Sequence, residues 1–418
     1  MKVPLYKIFQ FFLMFSISLL IGYYKVFSVN PGFYSLASVC IFLGGFIVVY
    51  ILTKQKNYIR QSAEFAIGYL KVYMVIIIAS IYVTMTNMDY ELYDIWKVSL
   101  PYLYIYGAII LIYIFNKQGI EKSCDIVSGL VNGMLIIKTV CWLLFNYWGI
   151  TIFPNILLQY EGWLRDGMQR LDTGFLYFVA LVWNSYKASK GWNKKSYAWL
   201  GFYVFFVVFV ARFRFLLIVT LITIFVTCYF SIDKKNNIVF IRVSIFLMVL
   251  GAVIFGFFDN ILELFSISGT YGTSSLHRLG TLYHYYDLMV QKKAIFGIGL
   301  IDTAVKAADE YMLLGIGRDG VSYYYYIDDI GILGGIVRFG VMSLIVYVPL
   351  FVQAVRVFIR HKKGNTKYVP FLAGVCTYLL LSCTVLNIFD SQRALDTPFY
   401  LAFISYFGGF LNKDKSIK

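Results

Sequence analysis

The residue types best suited to chemistry gather in one stretch, 259–329, of mixed polarity in an otherwise apolar chain. It holds His277, His284, Arg278 and Arg318, two Gly-x-Gly turns, and the tyrosine run Tyr323–Tyr326 that leads into Asp328 and Asp329. A guanidinium is a rigid bidentate donor that stays charged when partly desolvated, so arginines in such a stretch suit an anionic, phosphate-bearing ligand. His277 and His284 lie about two helical turns apart, roughly 10 Å along a helix axis, too far to share one ion, which argues against metal chemistry. A first-turn or N-cap carboxylate explains one of Asp328 and Asp329, not both.

The elements that must position these groups follow from spacing. Over Ser275 to Gln291 a helical period places Leu276, Leu279, Tyr283, Tyr286 and Val290 on one apolar stripe, with His277, Thr281, His284 and Asp287 on another face. Such a helix would lie along a membrane surface with its polar face over the protein. Gly297 with Gly299, and Gly315 with Gly317, predict tight turns with exposed backbone amides. Arg338 falls about 15 Å beyond Asp328 along a continuous helix, inside an apolar run where an arginine is functional by default; a structural ion pair is the alternative. Arg212 and Arg214 stand where two apolar runs meet, lining a cavity or snorkelling from a tight turn.

With 60% hydrophobic and 14% charged residues and a mean hydropathy of +0.72, the chain reads as an all-α polytopic membrane protein. The formal charge of +15 does not signify nucleic acid, because most basic residues sit in short loops between apolar runs, where they set orientation. Six scattered cysteines without a Cys-x-x-Cys pair argue against disulfides and zinc sites. The apolar run after Lys2 and Lys7 lacks a small-residue cleavage site and reads as a retained first span.

Twelve spans are expected, near 5–23, 33–52, 66–85, 98–115, 126–148, 171–186, 197–211, 213–231, 238–258, 327–355, 368–388 and 398–411. This divides the chain into a transmembrane bundle over 1–258, a large extracytoplasmic loop over 259–326 and further spans over 327–418. Lysine-rich loops then share one side, which places both termini in the cytoplasm. The opposite side carries Arg165, Arg170, Arg212, Arg214, Arg278, Arg318, Arg338 and Arg393, an arginine enrichment that positive-inside sorting does not predict. Pairing with Asp166, Asp172, Asp259, Asp319, Asp390 or lipid phosphates is the alternative for any one of them.

In this layout the chain resembles the Wzy-type polysaccharide (O-antigen or capsule) polymerases, relatives of the O-antigen ligases. The resemblance rests on the span count and late outer loop, on an arginine at a tight outer turn (Arg212 or Arg214), and on HRLGTLYHYYDLMVQKKAIFGIGL followed by YYYYIDDIGILGGIVRFGVMSLIVY. It implies a bacterial cytoplasmic-membrane enzyme that joins polyprenyl-pyrophosphate-linked oligosaccharides on the outer face, without metal or cofactor. Flippase and chain-length regulator proteins are the partners it implies, besides the bilayer itself.

By the same resemblance Arg278, Arg338 and one of Arg212 and Arg214, with Arg318 beside them, would bind the pyrophosphate. Asp329 or His284 would act as base, with Asp328 and His277 as further catalytic candidates, and the tyrosines would offer ring faces to sugars. The ligases place a histidine near the outer start of the span after the loop. Tyr326, Asp328 and Asp329 stand there instead, which leans away from a ligase. A lipid-linked oligosaccharide flippase is the main rival, but the chain shows no two similar halves, and Lys138 and Arg338 read as isolated. A lipid-sugar transferase with an acidic first outer loop is disfavoured, because KVFSVNPGF has no carboxylate.

Overall fold

The computed structural model describes residues 4–26, 39–45, 47–48, 58–158, 164–165, 167–191, 194–231, 272–303, 305–316, 322–385, 388–389 and 393–415. The expected spans 33–52 and 238–258 lie largely or wholly outside these residues, as do 259–271 and Arg318. The described chain is mostly helical: α1 (Leu5–Ser18), α2 (Tyr58–Asn87), α3 (Leu92–Leu103), α4 (Gly107–Gln118), α5 (Ile120–Trp148), α6 (Tyr177–Ser189), α7 (Lys194–Phe205) and α8 (Arg214–Tyr229). There follow α9 (Gly272–Gln291), α10 (Ile332–Phe339), α11 (Met342–Lys363), α12 (Val369–Ser382) and α13 (Asp396–Lys415). Two short antiparallel ladders, Leu164–Arg165 with Met168–Gln169 and Leu313–Ile316 with Ser322–Tyr324, are the β structure among the described residues. Gly315 thus sits in a strand, not in the Gly-x-Gly turn its spacing suggested.

Among the described residues, six helical segments are long and apolar enough to cross a membrane: Tyr6–Val26, Arg60–Asn87, Leu92–Gln118, Ile120–Trp148, Lys194–Ala211 and Met342–Lys363. Beside hydrogen bonds within the bundle, such as Tyr69 Oη to the Val346 carbonyl, others mark its two ends. At one end Leu300 N–H donates to Thr84 Oγ1 at 2.7 Å, Tyr311 Oη to the Asn87 carbonyl at 2.5 Å, Leu171 N–H to the Val210 carbonyl at 3.1 Å and Ile332 N–H to the Cys383 carbonyl at 2.9 Å. At the other, Glu121 takes Lys190 and Lys367, Asp125 takes Lys187, and His361 bonds the Phe407 carbonyl. The residues with candidate chemistry share the first end.

At the centre is α6, buried along nearly its whole length because α5, α7, α8 and α12 pack around it. The expected span at 171–186 becomes helical only at Tyr177; residues 170–176 approach it without helical hydrogen bonding. Lys138, read as isolated, donates to Asp172 at 2.7 Å.

The expected span at 327–355 is also not one helix. A 3-10 turn (Ile327–Ile330), α10 and α11 follow one another, broken at Gly331 (φ 58°, ψ −133°) and Gly340 (φ 56°, ψ −136°), backbone angles that side chains other than hydrogen rarely allow. The 22-residue α11 alone covers about 33 Å, enough to cross the hydrocarbon core, so Arg338 stands before the span and not within it. The amides after Phe296 are not exposed, contrary to expectation. Ile298 and Gly299 donate to the carbonyls of Val337 and Arg338 at 2.9 and 3.3 Å, and Val341 N–H donates to the Ile295 carbonyl at 2.9 Å. The last carbonyls of α10 are thereby satisfied by a second chain segment.

A Cβ at Gly340 would collide with the backbone of Ile295, Phe296 and Gly297, whereas one at Gly129 in α5 would meet open space. Gly340→Ala is therefore expected to cost about 3 kcal/mol or more, from strain plus clash. Gly129→Ala should be neutral or stabilising by up to about 1 kcal/mol. Thermal unfolding of both variants in detergent checks this, and an unchanged midpoint for Gly340→Ala would contradict the packing.

Candidate functional site

The site is built on α9 and on the turn that precedes α10. The apolar stripe of α9 forms as the spacing requires: Leu276, Leu279, Tyr283, Tyr286 and Val290 are all exposed, facing away from the protein. Such a face suits a lipid surface. The opposite face buries Thr281 and Tyr285 into a small core with Met88, Ile298, Ile301, Tyr311, Met312, Ile327 and Ile330. Asp287, expected on that inward face, is exposed.

His284 is part of this packing. Its Nε2 lies 2.7 Å from the Tyr311 carbonyl, which can only accept, so Nε2 carries the proton and donates. Its ring stacks on Tyr325 with centroids 4.1 Å apart. Tyr325 is held in turn by Tyr285, whose hydroxyl donates to the Tyr325 carbonyl at 2.9 Å. The tyrosine run thus serves first to seat α9. Tyr323 and Tyr326, 49% and 43% exposed, are the members open to a ligand.

The two adjacent aspartates have different partners. Asp328 Oδ1 accepts from Arg338 Nη2 at 2.5 Å, and the Arg338 side chain is only 2% exposed. This is the structural ion pair that the sequence left open, with the guanidinium turned onto protein. Asp329 instead has Arg278, Asp328, His277 and Arg170 as its strongest electrostatic neighbours. Arg278 and His277 come from α9, Arg170 from the chain entering α6. Among the described residues the Nε of Arg278 is buried and makes no hydrogen bond.

The remaining sequence candidates lie nearby or outside. Arg212, in the left-handed conformation (φ 49°), donates through Nη2 to the Met168 sulfur at 2.9 Å and through Nε to the Phe209 carbonyl at 3.2 Å, which ties it to the strand before Arg170. Arg214 opens α8 and is partly buried. Arg318 is outside the described residues. Arg170 was counted among the outer arginines but not placed at the site; its only sequence signal was membership of that set.

Arg338 is paired with Asp328, and Arg170 and Arg278 act electrostatically on Asp329, so three guanidinium groups stand against two carboxylates, one positive charge in excess before the histidines are counted. Burial pushes the Asp329 carboxyl above the usual carboxylate range, and Asp328 adds to this, while Arg278, His277 and Arg170 oppose it. Burial likewise lowers Arg170, with Asp329 opposing. A basic carboxylate facing arginines can take a proton from a hydroxyl and leave an anion held by the same cations.

Because Asp329 has a higher pKa folded than unfolded, the folded state keeps its proton over the interval between the two values. The stability this confers is fully present below the ordinary carboxylate value and is lost as pH rises through the folded value. Thermal midpoints across mildly acidic pH should therefore fall with rising pH, and Asp329→Asn should flatten that fall. An Asp329→Asn profile parallel to that of the parent would contradict the burial argument. No protein-family model, curated protein or solved structure matches the chain.

Proposed function

We propose that this chain is a metal-independent membrane glycosyltransferase that polymerises polyprenyl-pyrophosphate-linked oligosaccharide repeats into a surface polysaccharide: capsule, O-antigen or exopolysaccharide. The observation that carries the reading is that Arg278, His277 and Arg170, from segments far apart in sequence, all act electrostatically on Asp329, with the His277 ring against Tyr325 and Tyr326. It is supported by the resemblance in layout and motifs and by helices of membrane-spanning length. On this reading the end that holds Asp329 faces outward from a bacterial cytoplasmic membrane and both termini face the cytoplasm.

The chemistry follows from the groups present. An acceptor sugar hydroxyl attacks the anomeric carbon of a second lipid-linked chain, a C–O bond to the acceptor forms, and the C–O bond to pyrophosphate breaks. The electron pair leaves with the lipid pyrophosphate, whose concentrated charge Arg278 and Arg170 stabilise as fixed donors. Asp329 accepts the hydroxyl proton as the bond forms. Arg338 and Asp328 serve as support, fixing the turn that aims Asp329. His284, hydrogen-bonded through Nε2 and stacked, acts on this reading as a packing residue beneath the tyrosines.

Cells relying on Arg278→Lys should lose long polymer, with turnover down about 100-fold as for removal of one fixed transition-state donor. Single repeat units should still reach the outer surface at normal protein abundance. A gel of surface polysaccharide with an immunoblot of the protein reads this. Repeat units trapped on the cytoplasmic side would instead favour a flippase, and an unchanged polymer would remove Arg278 from the site.

A further inference from the structure

Residues 170–176 form an irregular segment within the protein: Leu171, Thr173 and Leu176 are all buried. Peptide groups of such buried residues need partners from elsewhere in the chain. Several of those partners are ionic side chains from distant helices and loops. Lys138, 4% exposed in the middle of α5, donates both to the Asp172 carbonyl at 3.0 Å and to its carboxylate at 2.7 Å. Arg393 Nη1 donates to the Gly174 carbonyl at 3.1 Å, and Leu176 N–H donates to Asp396 Oδ1 at 2.6 Å. Arg393 and Asp396 are 8% and 2% exposed.

Buried charges are costly, and well-packed apolar residues would often stabilise as much. Three of them, Lys138, Arg393 and Asp396, along one short segment therefore call for a role beyond stability. The segment begins at Arg170, which acts electrostatically on Asp329. We infer that Lys138, Arg393 and Asp396 are positioning residues that clamp the 170–176 backbone and so keep the Arg170 guanidinium within electrostatic reach of Asp329. The inference rests on the reading of Arg170 and Asp329 as parts of one anion site. Asp172 completes the clamp as the counter-ion of Lys138, and Arg393 lies within electrostatic reach of both Asp172 and Asp396.

The test reads the charge environment of Asp329 directly. The groups facing it are Arg278 and His277 from α9, Asp328 and Tyr326 from its own segment, and Arg170 from the clamped segment. Full-length protein in detergent is treated with dicyclohexylcarbodiimide, an apolar reagent that modifies protonated carboxyls, over a series of pH values. Peptide mass spectrometry then gives the midpoint of modification at Asp329. Removing the cation in Arg170→Met should move that midpoint upward, by about one pH unit for a tenfold change in proton affinity. Lys138→Met and Arg393→Met should each move it the same way, and Lys138→Met should add little on top of Arg170→Met.

Lys138→Met alone strands the Asp172 charge, so Lys138→Met/Asp172→Asn is made beside it. This pair of substitutions removes both charges and the clamp together, and thermal unfolding confirms that the protein is folded. A midpoint in the folded double variant equal to that of the parent overturns the inference while leaving the Arg170–Asp329 site in place. So does a Lys138→Met shift that simply adds to that of Arg170→Met. An Arg170→Met midpoint equal to that of the parent removes Arg170 from the site and overturns both readings.

Discussion

The hydrogen bonds from Ile298 and Gly299 to the last carbonyls of α10 decide where everything around Asp329 sits. They join the chain leaving α9 to the chain entering α11, at a separation that Gly297 and Gly340 permit because neither carries a Cβ. Thr84 closes the junction from α2 through the Leu300 amide. Helix α9, which carries Arg278 and His277, and the turn that carries Asp328 and Asp329 are thereby fixed to the same three elements. Without that contact α9 would keep only its small core against Tyr311 and Tyr325 to hold it in register.

Within this frame two neighbouring carboxylates are driven to different ends. Asp328 has a short ionic bond to a buried guanidinium. Asp329 is half-buried, and the cations that act on it come from two other segments. Adjacent residues on a 3-10 turn point in different directions, so one can brace the turn while the other faces outward from it. Among the arginines, Arg338 donates to Asp328 and Arg393 to the Gly174 carbonyl, while the Nε atoms of both Arg278 and Arg338 are buried without a hydrogen bond.

Much of the fold was legible because hydropathy and period are local properties. The long helices fall where apolar runs put them, α2 and α5 extending beyond the expected limits of 66–85 and 126–148. The apolar stripe of α9 was readable for the same reason. The run 327–355 misled because it is largely apolar after Asp329, and because Gly334 and Gly335 sit inside α10 while Gly331 and Gly340 break the chain; composition does not separate the two pairs. Gly297 and Gly299 were recognised as special, but what they approach lies some forty residues on, beyond any local pattern.

Side-chain partnerships were the least legible. Lys138 and Asp172 meet only through folding, and Arg170 comes within electrostatic reach of Asp329 the same way. His284 illustrates the same limit: its residue type suits a base, but only the Tyr311 carbonyl and the Tyr325 ring show that it is engaged in packing.

The outward stripe of α9 has a further consequence. Leu276, Leu279, Tyr283, Tyr286 and Val290 of α9 are left for the surrounding medium to cover. Arg278 and His277 therefore hang from a helix whose resting depth is set partly by lipid packing at the headgroup boundary. The protein's geometry at Asp329 is thus a property shared with the leaflet around it. Leaflet thickness and lateral pressure would tune the arginine-to-carboxylate spacing with no change in sequence.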